Sequence, residues 1–426
     1  MVDELNMKLV PERRFPEFKN DGEWEESLFA ESFDFLPNNT LSRADLNYNA
    51  GVVRNVHYGD VLIKFGNCLD VKECDLPFIT NEKVTEKISQ SKLKNGDVVI
   101  ADTAEDEMVG KCSEIINLTD EIVVSGLHTI PIRPISQFAP LFLGFYLNSE
   151  SYRRQLIPLM QGIKVVALSK GAFSKTKILY PKNLAEQKKI ADSLSFLDGS
   201  ISLVKKKLEL LKLQKKGLMQ KLFPAQGEKI PKYRFKEFEN DGEWVEIELG
   251  CIGPISMCKR IMKEQTNLDY PIPFYKIGTF GKKADAFISE KLYNEYKEKY
   301  SFPSQGDILI SAAGTIGRTV EYDGLPAYFQ DSNIVWIAND ESIVLNSFLK
   351  YQYSLVKWHV DDGGVVKRLY NESIRQTRIM VPSRYEQKKI ADMLSFLDDS
   401  ISFAKKKLEL LESSKKGLMQ QLFPKS

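Results

Sequence analysis

The residues best able to do chemistry in this chain are arginines, lysines and asparagines set in polar or glycine-rich stretches. Gly314-Thr315-Ile316-Gly317-Arg318 offers backbone amides that glycine lets approach a phosphate, with a guanidinium beside them for a phosphate or a guanine edge. The same five residues also fit a plain turn between strands. Lys276, Thr279, Lys282 and Lys283 form a second basic tract beside an aromatic ring, and Lys367-Arg368 follow Gly363-Gly364. In the first half the corresponding tract runs from Asn38 and Asn39 through Arg43, Asn47 and Tyr48 to Arg54. Asparagine and arginine bind adenine and guanine bidentately, and both are also common in loops for purely local reasons.

Bond-making chemistry lacks its usual signatures. There is no G-x-x-x-x-G-K-[ST] phosphate loop, no G-x-S-x-G elbow, no H-E-x-x-H and no Asn-Pro-Pro-aromatic run. The three histidines, His57, His128 and His359, have no second ligand at metal-binding spacing, so each reads as a surface or partly buried polar side chain. Cys68, Cys74, Cys112, Cys251 and Cys258 fit neither a disulfide framework nor paired zinc spacing and read as reduced thiols. No catalytic residue and no metal site is expected.

The elements that must carry these loops are announced by repetition. Glu186 to Pro224 and Glu386 to Pro424 agree at 31 of 39 positions. Within the first copy, Ile190, Leu194, Leu197, Ile201, Leu208 and Leu211 recur in steps that form a heptad seam. Ile390, Leu394, Leu397, Ile401, Leu408 and Leu411 repeat it, so each helix has a matching partner within the chain. Asn183 and Ser383 stand as N-caps, with Glu186 and Glu386 placed to complete a capping box. Pro224 and Pro424 forbid continuation. At 1.5 Å per residue the rod is about 55 Å long. Lys205 to Lys207 and Lys405 to Lys407 lie on the flanks of this rod, where they fit a solvated face, a phosphate contact or a protein dock.

A second repeat, Arg14 to Trp24 and Arg234 to Trp244, agrees at 9 of 11 positions and opens each half. The chain therefore reads as domain 1–182, helix 183–224, domain 225–382 and helix 383–426. Between the repeats, Lys94 to Ile100 and Ser304 to Ile310 match as a Gly-Asp turn entering a strand. Asp60–Phe65, Ile122–Val124, Phe274–Ile277 and Ile334–Ile337 read as strands, and Ala139–Ser149 and Leu345–Lys357 as helical. Each half is thus a mixed α/β domain, α+β in class. The short linkers make the helices run antiparallel as an intramolecular coiled coil between the domains, a pseudo-two-fold dumbbell.

Composition agrees with a water-soluble chain. The net charge of +1 conceals mildly acidic halves and basic helices, so charge alone makes neither half a strong nucleic-acid binder. No apolar run approaches the roughly 20 residues of a membrane span and no signal segment is evident, which points to the cytoplasm and away from membranes.

The domain-helix order, the Glu-Gln-x-Lys-Ile-Ala helix starts, the Gly-Leu-Met-Gln-x-Leu-Phe ends and the Asn-Asp-Gly-Glu-Trp openings resemble the DNA-specificity subunit of type I restriction-modification systems. The resemblance covers nearly the whole chain. It implies a non-catalytic subunit on double-stranded DNA, two methyltransferase subunits carrying S-adenosylmethionine, adenine methylation, and restriction or translocase subunits that can join. It also implies one half-site per domain, an asymmetric target and a gap set by the rod. It assigns no individual base contacts. The residues alone also allow a two-domain protein scaffold that never touches DNA.

Overall fold

The computed structural model describes residues 9–88, 91–105, 108–162, 164–359 and 368–424. The chain forms two compact α+β units, Met1–Lys205 with Lys406–Ser426, and Lys206–Lys405. Each long helix is therefore divided between units, instead of standing outside them.

Unit 1 is built on a five-stranded sheet in the order Phe33–Phe35, Thr129–Pro134, Val98–Ala101, Cys112–Ile116, Cys68–Asp70. Val98–Ala101 is buried along its whole length, as an apolar run flanked by two strands requires. A second sheet has the order Ile122–Ser125, Val53–Val56, Phe78–Ile79, Leu46–Asn47, and its first two strands are parallel with Val53 opposite Ile122.

Unit 2 repeats this plan. Ile255–Ser256, Ile334–Ile337, Ile308–Ser311 and Thr319–Glu321 form one sheet, and Phe287–Ile288, Ile272–Tyr275 and Tyr328–Phe329 another. Ile272–Tyr275 and Tyr328–Phe329 are again parallel, with Phe274 opposite Tyr328. The Gly-Asp turns act alike in both units. Asp97 accepts from the Lys94 amide at 2.7 Å and Asp307 from the Ser304 amide at 2.8 Å, each fixing the entry to a central strand.

The helices Leu184–Leu222 and Arg384–Leu422 are each 39 residues long, and the first is continuous through Gly199 and Gly217. Within unit 1, Asp198 pairs with Lys415 and Lys205 with Glu412, so rising numbers on one helix meet falling numbers on the other. In unit 2, Lys215 pairs with Asp398 at 2.5 Å while Leu222 shares a core with Ile390. Both pairings are antiparallel. Ile190, Leu194, Ile201, Leu208, Ile390, Leu394 and Leu397 of the seam are buried, and Leu197, Leu211, Ile401, Leu408 and Leu411 are half-buried.

The repeated motifs meet one another. In unit 1, the Arg14 guanidinium donates to both oxygens of Glu186 at 2.7 and 2.6 Å, and both side chains are buried. Trp24 packs edge-on against Phe423 from the end of the second helix, with ring centroids 6.3 Å apart. In unit 2, Arg234 binds Glu386 at 2.9 and 2.7 Å, and Trp244 packs against Phe223 at 6.0 Å. Gln187 and Gln387 each accept a loop amide at 2.9 Å, from Ala139 and Leu345. The Glu-Gln start of each helix thus locks it into a domain.

Two expectations are corrected here. The glutamates do not close capping boxes, because the buried arginine outcompetes the helix amide for the carboxylate; the Asn183 side chain accepts instead from Ala185 at 3.0 Å. Asp60–Phe65 is not a strand. Tyr58–Ile63 is an α-helix, its start capped by the His57 imidazole accepting from the Gly59 amide at 3.2 Å. Asp60, Val61 and Leu62 are buried while Ile63 is 82% exposed, a one-sided burial that strand alternation does not produce.

One buried acid makes unit 1 sensitive to pH. Glu114 accepts from the amides of Leu141 at 2.7 Å and Gly144 at 2.9 Å, capping Phe142–Leu147 from a neighbouring strand. Burial raises its pKa from 4.5 to about 7, against the opposing pull of those amides. Between these values the folded state holds more protons than the unfolded one, so this contribution is full below pH 4.5 and is lost as pH rises through 7. The loss corresponds to about 3 kcal/mol. Urea midpoints at pH 5 and 8 should differ more in the parent chain than in Glu114→Gln, and equal differences would contradict the assignment.

Candidate nucleic-acid interface

Some of the candidate residues reach the carboxyl end of a parallel strand pair, where α/β sheets commonly receive ligands. Asn38 and Asn39 bond at Gly126 and Ser125 in unit 1, and Lys276 and Thr279 follow Ile272–Tyr275 in unit 2, whereas Arg54 lies within Val53–Val56 and Arg318 follows a strand of the other sheet. In unit 1 the segment between Phe33–Phe35 and Val53–Val56, which includes the short strand Leu46–Asn47, meets this edge where the Asn39 amide donates to the Ser125 carbonyl at 2.9 Å. A short turn, Arg43–Asp45, is set by Asp45, which accepts from the Ser42 amide and hydroxyl, both at 2.8 Å. The turn raises Arg43 so that one nitrogen donates to Asp60 Oδ1 at 2.8 Å and another approaches the Tyr48 hydroxyl at 3.4 Å. The Asp60 partner pushes the Arg43 pKa still higher, and burial, reinforced by the Arg43 charge, holds the His57 imidazole below its usual range. Lys64 lies 5.7 Å from the Tyr48 ring centre. Arg54 covers the Phe78 ring at 4.9 Å.

The asparagines of this tract divide. Asn39 is buried, donating to Asn55 at 2.7 Å and to the Ser125 carbonyl at 2.9 Å and accepting from the Leu41 amide at 3.0 Å. It is a scaffold residue and leaves the set of candidate base readers. Asn47 holds its own turn, accepting from the Asn49 and Ala50 amides at 2.9 and 3.1 Å. Asn38 is exposed and donates to the Gly126 carbonyl at 3.2 Å. Tyr48 is half-exposed.

In unit 2, Lys276 and Arg368 share one concavity of about 420 Å³ with Arg260, Lys263, Asp331 and Asn333. Arg260 donates to Asp331 at 2.8 Å, Lys276 pairs with Asp285 at 2.9 Å, and Arg368 donates to the Ser332 carbonyl. Arg318 donates to the Phe280 carbonyl at 3.0 Å and so ties its loop to the Gly278 turn. The glycines there serve packing: Gly314 and Gly317 have φ of +65° and +77°, and a Cβ on Gly317 would sit 2.3 Å from Trp358. Thr279 caps its own turn, donating to the Lys276 carbonyl at 3.2 Å. Lys282, Lys283 and Thr315 are exposed. Lys367 lies outside the described residues.

Sequence reasoning missed Asp60 and His57 in unit 1 and Arg260, Lys263 and Asp331 in unit 2. The available signal was alignment of the turns: Lys263–Gln265 occupies the place of Arg43–Asp45, before the first parallel strand in each unit. Among the described residues no cluster of three His, Cys, Asp or Glu is placed to hold a metal ion, and no helix is long and apolar enough to cross a membrane.

A further surface feature occurs once per unit. Phe196, Leu203 and Leu410 in unit 1, and Phe396, Phe403 and Leu210 in unit 2, are each at least 67% exposed on the long helices. Successive members on one helix are seven residues apart, so they form an outer apolar stripe distinct from the buried seam. Among the described residues Lys206, Lys207 and Lys405 to Lys407 enter no ion pair.

Two α+β units thus repeat one strand plan, and antiparallel helices run into each of them. Residues 37–213 and 241–413 match the type I restriction modification DNA specificity domain, and the chain belongs to that family, whose members are specificity subunits and not catalytic ones. A putative type I restriction enzyme specificity subunit of Haemophilus influenzae is 56% identical over 162 residues, covering 38% of this chain and 42% of that protein. The putative MjaX specificity subunit of Methanocaldococcus jannaschii is 26% identical over 353 residues, covering 79% of this chain and 80% of that one. The crystal structure of the type I S subunit from M. genitalium has the same fold, with TM-score 0.63 and 15% identity, covering 98% of this chain and all of that one.

Proposed function

We propose that this chain is the specificity subunit of a type I complex acting on double-stranded DNA in the cytoplasm. Unit 1 and unit 2 each bind one short half-site, and the target is asymmetric. The observation that carries this reading is that the units repeat one strand plan while the loops at corresponding edges differ, Asn38–Arg54 against Arg260–Lys276. A duplicated frame with divergent loops suits two different readings of similar surfaces.

Docking of methyltransferase subunits, two per chain, is assigned to the exposed stripes, one on each unit. Those subunits would bring S-adenosylmethionine and methylate adenine, and restriction or translocase subunits would join the same complex. The long helices set the gap between half-sites. Co-expression with the modification subunit and genome-wide mapping of methylated adenines should give a split, asymmetric motif. Methylation independent of this chain would sink the reading. Removing one heptad from both helices shortens them by about 10 Å and should shorten the gap by about three base pairs with both half-sites unchanged. Altered half-sites with an unaltered gap would contradict the role of the helices.

A further inference from the structure

Resting on the DNA-reading function proposed above, we infer that each unit reads a guanine through one carboxylate-braced arginine, Arg43 in unit 1 and Arg260 in unit 2. The two arrangements share no local sequence. In unit 1 the brace is Asp60, which follows the strand Val53–Val56; in unit 2 it is Asp331, which follows Tyr328–Phe329. Both arginines nevertheless lie on the chain segment that precedes the first parallel strand, and both carboxylates follow a strand of the parallel pair. The same device has been built twice from different residues at the ligand-receiving edge.

The chemistry favours a base edge over a phosphate. A guanidinium has five N–H donors in a plane, and a bidentate contact with guanine O6 and N7 needs that plane held in orientation. Asp60 and Tyr48 restrain two nitrogens of Arg43, at 2.8 and 3.4 Å, and the side chain is 46% exposed. Arg260 is held through Nε at 2.8 Å, and its side chain is 66% exposed. The braces are recessed, at 10% and 14% exposure, so they orient the arginines without offering a carboxylate to DNA. Stability does not explain the Asp60 pair: Oδ2 of Asp60 is buried with no hydrogen-bond partner, and a half-exposed ion pair contributes little by itself. Asp60 and Asp331 are positioning residues.

The test uses the full chain with its modification subunit. Arg43→Ala should relax one guanine position in one half-site, with methylation at the original motif falling roughly 5- to 150-fold and the other half-site unchanged. Arg260→Ala should do the same in the other half-site. Asp60→Asn should loosen the same position as Arg43→Ala, a result that mere destabilisation does not give. Thermal unfolding of each free variant checks the fold. If a folded variant methylates nothing, binding of the parent complex to duplexes with 7-deazaguanine at each target guanine decides: loss at one guanine per half-site supports the inference, and no loss overturns it. Uniform weakening with an unchanged motif would make the arginines phosphate contacts and also overturns it. In both failures the proposed function survives. That function fails separately if exchange of residues 1–182 leaves the methylated motif untouched.

Discussion

Replacing Arg14 by alanine is expected to destabilise unit 1 by about 3–5 kcal/mol, the loss usual when one member of a buried ion pair is removed. Glu186 has 1% side-chain exposure and receives both its charged hydrogen bonds from Arg14, so the variant leaves a carboxylate in the core with no cation. The double variant Arg14→Met with Glu186→Gln should recover part of the loss, because no unpaired charge then remains. Arg234→Ala should act in the same way on unit 2 through Glu386. Urea unfolding followed by circular dichroism reads the effect. Changes below about 1 kcal/mol at both sites would mean that these pairs do not hold the helices to the domains.

The second large effect falls on assembly and not on folding. Glutamate in place of Phe196 and Leu203 should leave stability within about 0.5 kcal/mol, because both side chains already face solvent. Association with the modification subunit at unit 1 should weaken at least about 30-fold, the scale for removing an anchoring apolar contact of about 2 kcal/mol. With one dock per unit, as proposed, native mass spectrometry should count one modification subunit per chain in the variant against two expected for the parent. Phe396→Glu with Phe403→Glu should give the same count through unit 2. Retention of two subunits in both variants would remove the stripe as the dock.

The repeated helix, its seam and the halves it divides were legible because they are written in local periodicity and in identity between copies. The Gly-Asp turns were legible for the same reason: a turn and its strand are adjacent in sequence. The misreadings have a common cause. Asp60–Phe65 looked like a strand because its apolar residues are contiguous; the imidazole of His57 and one-sided burial made it a helix. Glu186 looked like a capping-box acid because its spacing from Asn183 is right; a guanidinium 172 residues away holds it instead. Asn39 looked like a base reader because exposed asparagines often are; the Asn55 and Ser125 contacts that bury it are long-range.

What the sequence determined by itself was the organisation: two related α+β halves, two long helices that pair antiparallel, and the family to which their motifs point. What only tertiary structure decided was the use of individual polar residues. A hydrogen bond to a charged partner is short-ranged and directional, and its partners here lie far apart in the chain: Asp60 against Arg43, Asp331 against Arg260, Arg14 against Glu186. Periodicity records which face of an element is apolar. It carries no record of which distant side chain meets which, and folding alone turns Arg43 and Arg260 from two among many basic loop residues into a matched pair.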